Sequence, residues 1–253
     1  MKKIKLVAII LVITGLLTGL VSCAKEKNDT GTKDPKVLVM GTNAAFPPFE
    51  YMEGGQVVGV DADMMALIAA EMGVELKIVD MDFDSLPTAL ANGQIDIIAA
   101  GLTVRPDREE SMDFSQSYYT AAQTVIVLDD SGYTGIEDLA DKLIGVQTGT
   151  TGMFCAEEFV NDLSQIKNFQ NGMLAVEALK NGQVDAVIID NNPAKEYAEI
   201  NDGLLLIEGE FENEMYAMAV AKGNKVLLDQ VNAALTKIRE NGEFDKVIDK
   251  YVK

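Results

Sequence analysis

From Lys36 onward the chain switches between short apolar runs and longer segments whose apolar residues recur at helical spacing. Lys36 to Gly41 is a β-rich run. Asp61 to Met72 (DADMMALIAAEM) has helical spacing, with Asp61 as a candidate N-cap and Gly73 placed to close the helix. Glu75 to Val79 is strand-like again. A helix is expected from Asp84 to Asn92, with Pro87 tolerable only in its first turn, and Gly93 ends it. Ile95 to Ala99 is a continuous apolar run that suits a strand buried on both faces. This βαβαβ order predicts a mainly parallel sheet with right-handed crossovers.

The later half continues the alternation. Ala121 to Leu128 and Leu143 to Val146 read as strands, with a short helix from Ile136 to Asp141 between them and a helix ending at Phe159 after them. An apolar strand ends at Asp190, and Leu204 to Glu208 and Tyr216 to Val220 are further strands. Val226 to Asn241 is an amphipathic helix stopped by Gly242, and Phe244 to Val252 is another. The segment ALANGQIDII at Ala89 is echoed by ALKNGQVDAV at Ala178, an offset of 89 residues with six of ten positions identical. That distance is too long for a solenoid period and fits two α/β lobes of similar plan, although Asn-Gly helix ends share capping chemistry anyway.

Lys2, Lys3 and Lys5 followed by the apolar run Leu6 to Leu17 form an export signal too short to span a membrane comfortably. It ends in Leu20-Val21-Ser22-Cys23, which resembles a bacterial lipobox. That resemblance implies a signal peptide over residues 1–22, lipidation of Cys23, and attachment to the outer face of the cell membrane. Residues 23–35 are polar and aperiodic and read as a flexible tether. The other thiol is Cys155, and there is no histidine, which weighs against zinc sites and His-dependent nucleophilic catalysis. No cofactor or metal site is expected. A formal charge of −19 argues against nucleic-acid partners and keeps an exported protein soluble.

Three stretches carry candidate chemistry. Gly101 to Tyr119 offers Gly101, Thr103 and Pro106 at a strand-to-helix turn, with Arg105 and Arg108 close behind. Backbone N–H groups and a guanidinium fork there suit a carboxylate, while Arg108 among Asp107, Glu109 and Glu110 also suits a surface ion pair. Gln147 to Gly152 (QTGTTG) opens a helix with N–H and hydroxyl donors, reading equally as an anion cradle or as a capped start. It lacks the Gly-Lys-Ser/Thr ending of a P-loop. Asp190 follows four apolar strand residues, a position for a ligand group at a sheet edge or for an N-cap.

With GTNAAFPPFEY at Gly41, VGVDAD at Val58, AGLT at Ala100, Arg108, MDFS at Met112 and QTGTT at Gln147 in the same order, the chain resembles family 3 extracellular solute-binding proteins of polar amino-acid ABC transporters over about Lys36 to Lys253. The resemblance implies a two-lobed, type II periplasmic-binding-protein-like α/β fold, each lobe a mainly parallel sheet flanked by helices. Lobe 1 would hold residues 36–120 and 217–253, and lobe 2 residues 121–216. Hinge strands would cross near Tyr118 to Thr124 and Asn213 to Met218. Carried over residue by residue, Arg108 is the carboxylate ligand, aided by Thr103 and Thr151. Asp190 is the ammonium partner, aided by the carbonyl of Gly101 or Ala100. Phe46 and Phe83 flank the substrate side chain, Asn43 and Gln147 face its far end, and Thr150 belongs to the same set. Arg105 stands where the family often has Thr or Ser and is left as a surface residue.

The function so implied is binding of a free L-α-amino acid outside the cytoplasm and delivery to an ABC permease, by a monomer that is not an enzyme. Asn43 carries no charge to offset a guanidinium, so a neutral polar ligand such as glutamine is favoured over a basic one, although Glu50 could supply that charge. The alternatives on this fold are a cyclohexadienyl-dehydratase-like enzyme, for which no poised acid in an apolar pocket is evident, and a sensory ligand domain.

Overall fold

The apolar runs assemble into two sheets joined by a pair of long antiparallel strands. A computed structural model describes residues 37–207 and 211–252; the expected signal peptide, the whole of the tether including Cys23, Lys36 at the start of one expected strand and Glu208 at the end of another lie outside them. In chain order the elements are β1 (Val37–Thr42), β2 (Ala45–Phe46), β3 (Glu50–Glu53), β4 (Gln56–Val58), α1 (Val60–Met72), β5 (Glu75–Asp80), α2 (Leu86–Ala91) and β6 (Ile97–Ile98). There follow α3 (Pro106–Glu109), β7 (Met112–Phe114), β8 (Tyr119–Leu128), β9 (Ile144–Gln147), α4 (Thr151–Phe159), β10 (Ile166–Phe169), α5 (Gly172–Lys180) and β11 (Ala186–Asp190). The chain continues through α6 (Asn191–Ile200), β12 (Leu204–Ile207), β13 (Asn213–Tyr216), β14 (Ala219–Ala221), α7 (Lys225–Glu240) and α8 (Glu243–Tyr251).

The first sheet has the order β5-β1-β6-β14-β7 and the second β10-β9-β11-β8-β12. Each has a parallel core, β1 between β5 and β6 in one and β9 between β10 and β11 in the other. Antiparallel strands extend both cores: β14 beside β6 and β7, and β8 beside β11 and β12. The chain leaves the first sheet along β8 and returns to it along β13, and these two strands pair with Tyr119 opposite Tyr216 and Ala122 opposite Asn213. The small antiparallel sheet β2-β3-β4 adjoins the start of α1.

The internal echo has a structural meaning. In the first copy Asp96 accepts the N–H of Val39 at 2.8 Å, and in the second Asp185 accepts that of Leu143 at 2.8 Å. Each carboxylate thus tethers the turn after a helix to the chain at the start of the neighbouring parallel strand. Gly93 and Gly182 close the two helices at φ 67°, the left-handed region open to glycine.

Several expected elements differ in detail. Asp61 is not the N-cap of α1; Gly59 holds that position, and the buried Asp61 carboxylate accepts from Gly101 N–H and Tyr118 Oη, each at 2.9 Å. The strand in the run Ile95 to Ala99 is shorter than expected: Ile97 and Ile98 pair with β1, and the flanking N–H groups of Asp96 and Ala99 donate to Val39 O and Gly41 O. The expected strand Tyr216 to Val220 is split between β13 and β14, where the chain passes from the hinge into the first sheet. Ile136–Leu139 forms a 3-10 turn rather than an α-helix.

Phe49 is fully buried beneath this junction, edge-on to Tyr119 at 4.9 Å and Tyr216 at 5.1 Å between ring centroids. It ties the small sheet to both hinge strands through aromatic packing. Replacing it with alanine leaves a cavity the rigid hinge cannot refill, and Phe49→Ala is expected to lower stability by about 3 to 5 kcal/mol in urea unfolding.

Candidate functional site

All eleven residues expected around a ligand line one cavity between the two sheets: Asn43, Phe46, Phe83, Ala100, Gly101, Thr103 and Arg108 from the first, Gln147, Thr150, Thr151 and Asp190 from the second. Glu50 lines it as well. As it stands the cavity is narrow, with a volume of about 20 Å³.

Local structure explains each placement. Asn43 follows directly on β1, at that strand's carboxyl end. The chain after β6 reaches Gly101 at φ 54°, where an added Cβ would lie 2.7 Å from Phe46, so the turn needs glycine both for its backbone and for the ring above it. Pro106 is the first residue of α3, one turn long, and Arg108 projects from it into the cleft. Its Nη1 donates to Thr103 O at 2.8 Å, and its Nη2 crosses the cleft to Gly149 O at 3.0 Å. The guanidinium carbon lies 5.6 Å from the Phe83 ring centroid. Burial, reinforced by the charge of Arg105, brings the Arg108 pKa down to about 10, still far above neutrality.

Across the cleft, Thr150 caps α4: its Oγ1 accepts from Met153 N–H at 3.4 Å and donates to Gln147 O at 2.8 Å. Gln147 Nε2 donates to Asn43 Oδ1 at 2.9 Å and to Gln170 O at 3.0 Å, while Asn43 Nδ2 donates to Met81 O at 2.9 Å. The two amides expected at the far end of the ligand therefore also bridge the lobes directly. Asp190 occupies the N-cap position of α6 but makes no capping bond; its carboxyl accepts from the Tyr216 hydroxyl instead. Burial and the nearby negative charge of Glu214 push its pKa up, to about 7.

Thr103 also reaches the hinge strand β13. Its hydroxyl donates to Glu214 Oε2 at 2.6 Å, and Gln123 Nε2 donates to Glu214 Oε1 at 2.7 Å. Glu214, in hinge strand β13, was not foreseen; the only signal for it is its place beside Tyr216 in the returning strand. Glu50 Oε2 and Asp61 Oδ1 are buried and lack conventional donors. Burial and the adjacent Asp61 raise the Glu50 pKa well above the usual range, while burial raises that of Asp61 to about 6. Glu50 is thereby favoured in its protonated form, beside an Asp61 that takes the Gly101 N–H and the Tyr118 hydroxyl.

Arg105 is not a plain surface residue. Its guanidinium lies 3.6 Å from the centroid of the Phe154 ring on α4, across the cleft from α3. Nothing in residue spacing pairs these two side chains.

A cavity closed between two sheet-based lobes, with a hinge of paired strands and opposite charges on facing walls, defines a hinged solute-binding protein. The chain belongs to the bacterial extracellular solute-binding proteins, family 3, which it matches over residues 38–253. This is a family of extracytoplasmic binding proteins for transport, not of enzymes. The chain is 33% identical to the arginine-binding extracellular protein ArtP of Bacillus subtilis (strain 168) over 251 residues, 96% of each chain. It is 36% identical to a probable histidine-binding protein of Neisseria gonorrhoeae over 230 residues, 85% of this chain and 83% of the relative. Among solved structures, an ancestral arginine-binding protein bound to arginine superposes with a TM-score of 0.82 at 37% identity, covering 87% of this chain and all of that one.

The raised Asp190 pKa has a definite sign for stability. Between about pH 4 and 7 the unfolded carboxyl is ionised while the folded one keeps its proton, so this contribution is present below about pH 4 and is lost as pH rises through 7. The unliganded Asp190→Asn variant is expected to lose less stability than the wild type between pH 5 and 8, measured as the melting temperature across that range.

Proposed function

We propose that this protein binds a free L-α-amino acid between its lobes and passes it to an ABC transporter permease, with lobe 1 comprising residues 36–120 and 217–253 and lobe 2 residues 121–216. The observation that carries this reading is the pair of buried, opposite charges, Arg108 and Asp190, on facing walls of one cavity. Arg108 with the N–H of Thr151, at the positive end of α4, suits an α-carboxylate. Asp190 suits the α-ammonium, and Phe46 and Phe83 supply apolar surface for the side chain. A zwitterion satisfies both half-sites only when the lobes are closed, so the ligand shifts the population toward the closed form.

Glu50 decides which side chain is favoured. Asn43 is uncharged and suits a neutral polar ligand; Glu50, an acid on the cavity wall next to Asp61, supports a basic one instead. The printed names of the relatives, arginine-binding and probable histidine-binding, support the same direction. Arginine is therefore proposed as the first ligand and glutamine as the next. The lipobox at Cys23 supports anchoring of the protein to the outer face of the membrane through a lipid.

A thermal-shift screen against the common amino acids tests the binding reading. A ligand at 100 times its Kd adds about 2.7 kcal/mol to stability. Arginine is expected to give the largest shift, Arg108→Ala and Asp190→Ala to abolish it, and Glu50→Gln to weaken arginine more than glutamine; silence across the panel would refute amino-acid binding. Anchoring is tested separately: Cys23→Ala is expected to move the protein from the membrane fraction to the medium or periplasm, scored by fractionation.

A further inference from the structure

We propose that Arg105 sets how tightly the lobes hold a ligand, by closing as a cation–π latch on Phe154 outside the binding cavity. Arg105 immediately precedes α3 on the first lobe's wall, and Phe154 sits on α4, which packs against the second sheet. The guanidinium carbon is 3.6 Å from the ring centroid, stacking distance, and the two residues belong to different lobes, so this contact exists only when the cleft is shut. The Arg105 side chain is only 19% exposed, which strengthens a cation–π contact over one in open water. Its orientation is fixed from the other edge, where Nε donates to Asp107 Oδ1 at 2.9 Å.

Arg105 does not line the ligand cavity, whereas it does line a neighbouring open cleft of about 610 Å³ together with Cys155 and Glu158. A ligand in the cavity therefore has no direct contact with it. Arg105 acts as a positioning residue: Phe154 lies one turn along α4 from Thr151, so clamping the ring holds the N-terminal turn of α4 against the cavity that Thr151 lines. Other hydrogen bonds also cross between the lobes: Arg108 to Gly149 and Gln147 to Asn43 start from cavity-wall side chains, while Tyr197 Oη to Ala45 O at 2.6 Å and Gln170 Nε2 to Asp82 Oδ2 at 3.4 Å lie outside it. Closure assisted by an outside contact raises the fraction of binding-competent protein, and apparent affinity rises by the same factor. A latch made last on closing and broken first on opening acts mainly on the dissociation rate.

The affinity effect rests on the ligand-binding reading above, so the test has one arm that needs no ligand. The full chain is compared as wild type, Arg105→Thr, Arg105→Lys, Phe154→Leu and the Arg105→Thr/Phe154→Leu double variant. Threonine is a good N-cap for α3, so the first variant keeps the local fold. With L-arginine and L-glutamine as probes, Arg105→Thr and Phe154→Leu are each expected to speed dissociation roughly threefold to thirtyfold, with the order of preference between the probes unchanged. Arg105→Lys should recover part of the loss, and the double variant should be no worse than either single one. Unchanged dissociation in Arg105→Thr, or losses that multiply in the double variant, would overturn the latch. In the unliganded chain, hydrogen exchange of the α4 amides should quicken in both single variants; unchanged exchange overturns the latch even if neither amino acid binds the wild type, a result that would by itself sink only the binding reading.

Discussion

A guanidinium and a carboxyl group, each more than nine-tenths buried, face one enclosed space from opposite lobes. Burying either ion without a partner costs several kcal/mol, so the closed cleft exists only because each charge is partly answered by protein. Arg108 leans on the carbonyls of Thr103 and Gly149, and Asp190 takes the Tyr216 hydroxyl and holds its proton to higher pH. Both answers are incomplete. Neutral carbonyls do not cancel a cation, and a protonated carboxyl has given up the charge that would attract an ammonium. The proposed zwitterionic ligand acts on this imbalance by supplying the counter-charge at both ends at once.

The hinge is wired into these same charges. Tyr216 pairs with Tyr119 across the crossover strands, packs on Phe49, and donates to Asp190. Two positions earlier, Glu214 gathers Thr103 from the first lobe and Gln123 from the second. A change in lobe angle must therefore disturb the hydrogen bonds that set the charge state of Asp190. Binding and closure are coupled by contact between named side chains, without a longer relay between them.

Much of the architecture was legible in the sequence because it rests on local rules. Glycines closing helices, apolar runs forming buried strands and the repeated Asn-Gly-Gln-x-Asp segment all express chemistry confined to a few neighbouring residues, and the echo even marks the same Asp-to-N–H tether in both lobes. The cavity residues were legible through family resemblance, which assembles positions that spacing alone cannot. What stayed hidden depends on partners remote in sequence: Asp61 reads as an N-cap until Gly101 and Tyr118 arrive beside it, Glu214 reads as one acid among many in a chain rich in them, and Arg105 has no visible relation to Phe154.

The balance of buried charge also bears on which solute fits. Arg108 is the cation of the cavity wall, against which stand Asp190 and Glu50 on the same wall, with Asp61 and Glu214 buried nearby. In the proposed complex an α-carboxylate consumes the cation and an α-ammonium answers one acid, which leaves acidic groups in excess around the space for the side chain. A cationic side chain lowers that excess, a neutral amide leaves it, and a second carboxylate adds to it. The formal charge of −19 over the whole chain works in the same direction at longer range, enriching cations near the surface before the cleft ever closes.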